Sequence, residues 1–214
     1  MDFNFLADGL IQYLMLVGLL TFHEFAHAWT ALMCGDDTAK LQGRVSLNPA
    51  VHIDPIGTVL MPLLMFFLPF NISRFMIGWA KPVPVNMQNL RNGQFDEILV
   101  TMAGPGMNLV LAIILVALAK VCLLFNSNQF EFLCLQAATL SLRLCFFNLI
   151  PIPPLDGSKV LRVVTGMTWE TYAQFSQFGF IGIIIVMQIP QVIALISSAT
   201  YGTLELLCRM FGVF

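Results

Sequence analysis

The pentapeptide His23-Glu24-Phe25-Ala26-His27 carries residue types and a spacing suited to metal-assisted hydrolysis. On a helix, positions i and i+4 lie one turn apart on one face, so both imidazoles can reach a single metal ion. Glu24 then stands beside the metal without ligating it. A carboxylate there can take a proton from an activated water and later pass it to a leaving amine. The plain alternative is a pair of core histidines held by hydrogen bonds. The apolar surroundings oppose it, because one charge at the centre of a membrane helix costs about 2.5–3.5 kcal/mol on insertion scales.

A catalytic zinc takes three protein ligands and leaves one position open for water, so this motif is one ligand short. The candidates are Asp156, within Asn148-Leu149-Ile150-Pro151-Ile152-Pro153-Pro154-Leu155-Asp156-Gly157, and His52 or Asp54 in the loop Asn48–Pro55. Asp156 is favoured. Pro151, Pro153 and Pro154 force the chain out of a regular helix, and backbone groups freed at membrane depth persist where protein or water satisfies them. Gly157 is expected to let the chain turn directly after Asp156; a simple helix cap is the alternative. His52 is read as a capping or loop residue before a ligand or a gate for water.

The elements that must position these residues are membrane helices. Of the 214 residues 58% are hydrophobic and 10% charged, with a mean hydropathy of +0.83. Apolar runs recur at about 9–33, 55–70, 97–120, 131–150 and 172–198, and crossing about 30 Å of hydrocarbon takes roughly 20 helical residues. The first run lacks a basic leader and contains His23 and Glu24, so it is expected to stay in the mature chain rather than be cleaved as a signal. Pro62 and Pro69 interrupt the second, which is read as re-entrant, and Pro190 is expected to kink or end the last. The expectation is an all-α polytopic bundle of about four to six transmembrane or re-entrant helices. Short strands are expected near residues 38–47 and 81–86, the whole chain 1–214 forming one domain.

Basic residues in the loops, with a Lys- and Arg-free N-terminal segment, place that segment outside and the inner ends of 9–33 and 131–150 on the cytoplasmic side. A net charge of −2 with scattered Lys and Arg argues against a nucleic-acid partner. The partners expected are the lipid bilayer and a membrane substrate. Cys34, Cys122, Cys134, Cys145 and Cys208 never fall in a C-x-x-C pattern and read as small buried hydrophobes. Arg143 lies in an apolar run and must find a partner or snorkel.

Together with His23–His27 and Asn148–Gly157, the segment Ala103-Gly104-Pro105-Gly106-Met107-Asn108 gives three separated motifs in one order. In these the chain resembles the site-2 protease group of intramembrane zinc metalloproteases, peptidase family M50, in a short form without an inserted PDZ or CBS domain. The resemblance covers most of the chain. It implies that His23, His27 and Asp156 bind one Zn2+, that Glu24 is the catalytic carboxylate, and that cleavage lies toward the cytoplasmic side of a bacterial or archaeal cell membrane. It also implies that Ala103–Asn108 opens a core helix, that Asn148 can bind the substrate backbone, and that Asn108 braces helices or the site. Interhelical hydrogen bonding without catalytic duty is an equal reading for either Asn. The expected function is hydrolysis of transmembrane or signal-peptide-like substrates; the strands are expected either to receive an unwound peptide by edge pairing or to be structural. The rivals are a metal transporter and an inactive membrane scaffold; a transporter has less need of a general base between two ligands.

Overall fold

The computed structural model of the protein describes residues 3–63 and 78–213, with side chains from residue 7 onward. The later part of the 55–70 run, with Pro69, and the following Arg74 lie outside the described residues. The chain divides into two compact units, Met1–Arg91 and Asn92–Phe214. Every described element is helical, turn or irregular. Among the described residues four helices are long and apolar enough to cross a membrane, as the composition requires, and the protein is an all-α polytopic membrane protein.

In the first unit, α1 spans Phe3–Met33 and its apolar stretch from Ala7 is of membrane-crossing length. It ends at Cys34-Gly35, where Gly35 adopts a φ of +108° that a side chain rarely tolerates. Asp36 follows, fully buried. It accepts hydrogen bonds from Thr38 N at 3.1 Å, Thr38 Oγ1 at 2.5 Å, Asn86 N at 2.7 Å and Asn89 Nδ2 at 3.0 Å. Burial pushes this carboxyl upward, but those donors outweigh it and hold its pKa below the ordinary value.

No strand forms over 38–47. Thr38–Leu41 is a single helical turn, α2, closed by Gly43 N to Lys40 O at 2.9 Å and Arg44 N to Ala39 O at 2.8 Å, with Gly43 at φ +67°. This is a Schellman closure, and it uses the backbone groups that a strand ladder would need. A π-helical turn at Pro55–Leu60 carries Gly57, whose carbonyl accepts from Trp79 N at 3.2 Å.

Residues 81–86 likewise form no ladder among the described residues. Pro82 and Pro84 have no N–H to contribute, and they confine Lys81 and Val83 to extended backbone. The segment is instead a strap tied to its own unit. Lys81 N donates to His52 O at 2.9 Å, Val83 N to Glu24 Oε2 at 3.1 Å and Asn86 N to Asp36 Oδ2 at 2.7 Å. Arg44 donates to the carbonyls of Lys81 and Pro82.

In the second unit α3 (Gln94–Leu124) and α4 (Asn128–Asn148) form an antiparallel hairpin joined by a turn of three residues, with α8 (Pro190–Phe211) packed on both. Ala112, Val116, Ala138, Leu142, Leu207 and Cys208 make the buried seam; small residues there let the backbones approach closely. Outside it, Leu109, Val110, Ile114, Leu118 and Val121 of α3 stay exposed, the pattern of a helix solvated by lipid. Ala103–Asn108 sits inside α3 rather than at its opening.

Three short helices, α5 (Asp156–Thr165), α6 (Trp169–Ser176) and α7 (Gly179–Val186), lie between α4 and α8. The run at 172–198 is therefore broken, and Pro190 begins the last long helix instead of kinking or ending one. At the first helical position proline loses no needed hydrogen bond, and its fixed φ suits the helix. Arg143 of α4 finds Tyr201 of α8, donating to its hydroxyl at 2.7 Å and lying 5.7 Å from its ring centre.

Candidate metal centre

The helical periodicity of α1 brings His23 and His27 to one face, where both are buried, with 3% and 7% of their surface exposed. Their Nε2 atoms lie 3.1 Å apart and their rings meet edge to face at 4.7 Å between centres. Two nitrogens each 2.0–2.1 Å from a tetrahedral zinc are separated by about 3.3 Å, so the observed pair fits two ligands of one ion. Glu24, one position along the helix, is half-buried, and its Oε2 accepts the Val83 N–H at 3.1 Å. One of its carboxylate oxygens is thus held by a backbone amide of the segment 81–86.

The rival ligands of the first unit are engaged elsewhere. His52 is buried, with Nε2 at 2.8 Å from Ser46 O and Nδ1 at 3.5 Å from Arg44 Nη2. Nε2 donates to the carbonyl, which leaves Nδ1 as the acceptor facing the guanidinium. Burial first, and Arg44 beside it, push the His52 pKa down, against the Ser46 hydrogen bond and the charge of Glu24. Asp54 Oδ1 caps the π-helical turn, accepting from Ile56 N at 3.0 Å and Gly57 N at 2.7 Å. Burial also lowers the pKa of Arg44, with Glu24 acting in the opposite sense.

In the second unit Asp156 is the first residue of α5 and is 4% exposed. A carboxylate in the first helical turn is favoured by the helix dipole, and Lys159 Nζ lies 3.1 Å from its Oδ1. The preceding segment is packed close. A Cβ added at Gly157 would lie 2.2 Å from Leu149 O and 2.7 Å from Ile150 O, and one at Gly179 would lie 2.2 Å from Pro153 O. Gly157 is thus required by close backbone approach, and the turn expected there is a helix start. At the other end of α5, Arg162 forms a two-pronged ion pair with Glu97 of α3, donates to Met167 O at 3.0 Å and lies 4.2 Å from the Trp169 ring centre.

Asn148, the last residue of α4, donates Nδ2 to Leu144 O at 2.9 Å. Asn108 is 0% exposed, and its backbone carbonyl, which any residue there would offer, accepts from Ser141 Oγ at 2.7 Å. Sequence reasoning missed Val83, Arg44 and Asp36. All three act through backbone groups of the strap, and the one signal was Pro82-Val83-Pro84, which isolates a lone donor between two residues that have none.

A converged imidazole pair with an adjacent carboxylate, carried on a membrane-length helix of an all-α polytopic chain, is an arrangement that could hold a metal ion. The sequence model for peptidase family M50 matches residues 124–189. YwhC of Bacillus subtilis, named as a zinc metalloprotease, is 38% identical over 163 residues, covering 72% of this chain and 69% of that protein. Rip2 of Mycolicibacterium smegmatis is 33% identical over 64% of this chain and 51% of that protein. Rip2 of Mycobacterium tuberculosis is 32% identical over 66% and 52%; both carry the same kind of name, and the chain spans about half their length. No solved structure matches. The chain belongs to peptidase family M50 and is a zinc metalloprotease.

Proposed function

We propose that this protein hydrolyses peptide bonds of transmembrane or signal-peptide-like segments as a single metalloprotease domain. Its active site faces the cytoplasmic side of a cell membrane. His23, His27 and Asp156 hold one zinc ion, and Glu24 is the general base. The observation that carries this reading is the buried His23–His27 pair, its Nε2 atoms 3.1 Å apart, with Glu24 anchored beside it on α1.

When bound, zinc supplies Lewis-acid polarisation of the water and of the scissile carbonyl. His23 and His27, through their Nε2 atoms, and the buried Asp156 carboxylate would hold it. Glu24 accepts the water proton on the oxygen not engaged by Val83 and returns it to the departing amine. A peptide bond in a helix must unwind before its carbonyl can be attacked, so the Asn148 side-chain carbonyl is assigned to an exposed substrate N–H. The backbone carbonyl of Asn108 ties α3 to α4 through Ser141.

The test is Glu24→Gln in the full chain, folded and zinc-loaded, against a labelled transmembrane peptide that the native protein cuts. Loss of an acid–base group lowers the rate by about 10²–10⁴-fold, with zinc stoichiometry retained. Cleavage at the native rate would remove Glu24 from the mechanism. Zinc movement across vesicles without cleavage would favour transport.

A further inference from the structure

The strap over residues 81–86 touches the catalytic carboxylate through one backbone group, and the sequence around that group isolates it. Val83 N donates to Glu24 Oε2 at 3.1 Å. Pro82 and Pro84 on either side have no N–H, so no neighbouring amide can compete for Glu24 through a slip of one residue. Both prolines also confine the backbone before them to the extended region, which fixes the direction in which the Val83 N–H points.

The rest of the strap is held from both ends. Lys81 N donates to His52 O at 2.9 Å and Asn86 N to Asp36 Oδ2 at 2.7 Å. Arg44, itself 5% exposed, grips the carbonyls of Lys81 and Pro82. His52 supports Arg44 through Nδ1 while its Nε2 is anchored on Ser46 O. Asp36, Arg44 and His52 thus all bond to the strap or to each other around Val83.

We infer that the Val83 amide is a positioning group for the Glu24 carboxylate, and that the strap, with Asp36, Arg44 and His52, is the frame that holds it. Resting on the reading of Glu24 as general base, the inference is that one carboxylate oxygen is tied so that the other faces the reacting water. A free Glu side chain samples several rotamers, and a displacement of about 1 Å in a catalytic group can cost on the order of 10²-fold in rate. The same tie means that the Val83 N–H is not offered to a substrate. Edge pairing at this residue is therefore replaced by a role toward the base.

Two measurements on the full chain test this. The first compares Val83→Pro with Val83→Ala, which share the loss of the valine side chain but differ in the N–H. With zinc content matched, Val83→Pro is expected to show a kcat at least about tenfold below that of Val83→Ala, with KM within about twofold. Equal kcat values would overturn the inference. The second needs no activity. Hydrogen exchange is read in a peptide that begins at least two residues before Val83 and runs through Asn86, within which Pro82 and Pro84 are silent. One protected deuteron is expected to become exchangeable in Glu24→Ala and to stay protected in Glu24→Gln, which keeps an acceptor oxygen. Unchanged protection in Glu24→Ala would overturn the inference even if Val83→Pro fails to fold. A native protein that cuts no transmembrane peptide but shows the exchange signature would instead overturn only the reading of its function.

Discussion

At the scale of single residues, the first unit separates two histidines whose ring nitrogens converge on each other from one whose nitrogens are engaged elsewhere. His23 and His27 turn their Nε2 atoms to each other, whereas both ring nitrogens of His52 are engaged by Ser46 and Arg44. That difference has a pH signature. The His52 pKa is lowered in the folded protein, by burial foremost, while the unfolded chain titrates near the ordinary value of about 6.5. Below about pH 6.5 the unfolded state therefore binds more protons than the native state, so stability rises with pH through this window and is lost as pH falls toward the folded value. In the difference between thermal-unfolding curves of the native protein and His52→Gln, the native protein is expected to lose stability more steeply from pH 6.5 downward. Parallel curves would show that His52 is not held neutral.

At the scale of elements, the helix that presents Asp156 is fixed at both ends. Its start packs against the carbonyls of Leu149 and Ile150 through Gly157, and its far end is bound to α3 by Glu97–Arg162, whose side chains are 5% and 8% exposed. Breaking a buried pair leaves a charge unpaired and costs about 3–5 kcal/mol, whereas replacing both partners by apolar groups is often neutral. Arg162→Met alone is thus expected to destabilise the protein by about that much in denaturant unfolding, and Glu97→Leu with Arg162→Met to recover most of it. No recovery would mean that Trp169 and Met167 O, not Glu97, anchor the arginine. The sequence disclosed the helices and the His–Glu–His face because membrane length and the period of 3.6 are local signals. It did not disclose Glu97–Arg162, separated by 65 positions, nor the helical turn at 38–41, where Gly43 and a buried Asp36 outweigh strand propensity. The proline at 190 was visible, but proline both stops and starts helices, and the flanking composition does not say which.

At the scale of the whole molecule, the proposed ligands come from positions 23, 27 and 156, so no short stretch of unfolded chain can reproduce the site. Metal binding and folding are then linked: an ion held by the native state alone stabilises it by about 2.7 kcal/mol at a free concentration 100 times the dissociation constant. If His52 is not a ligand, chelation is expected to lower the unfolding temperature of the native protein and of His52→Ala alike. Asp156→Ala is expected to purify with substoichiometric zinc and to show little further loss on chelation. Because Lys159 pairs with Asp156, Lys159→Met is the control for the loss of that ion pair alone, and it should retain zinc. Retention of full stoichiometric zinc by Asp156→Ala, with zinc lost from His52→Ala, would move the third ligand into the loop at Asn48–Pro55. The close packing of Gly157 would then serve the fold and not the metal.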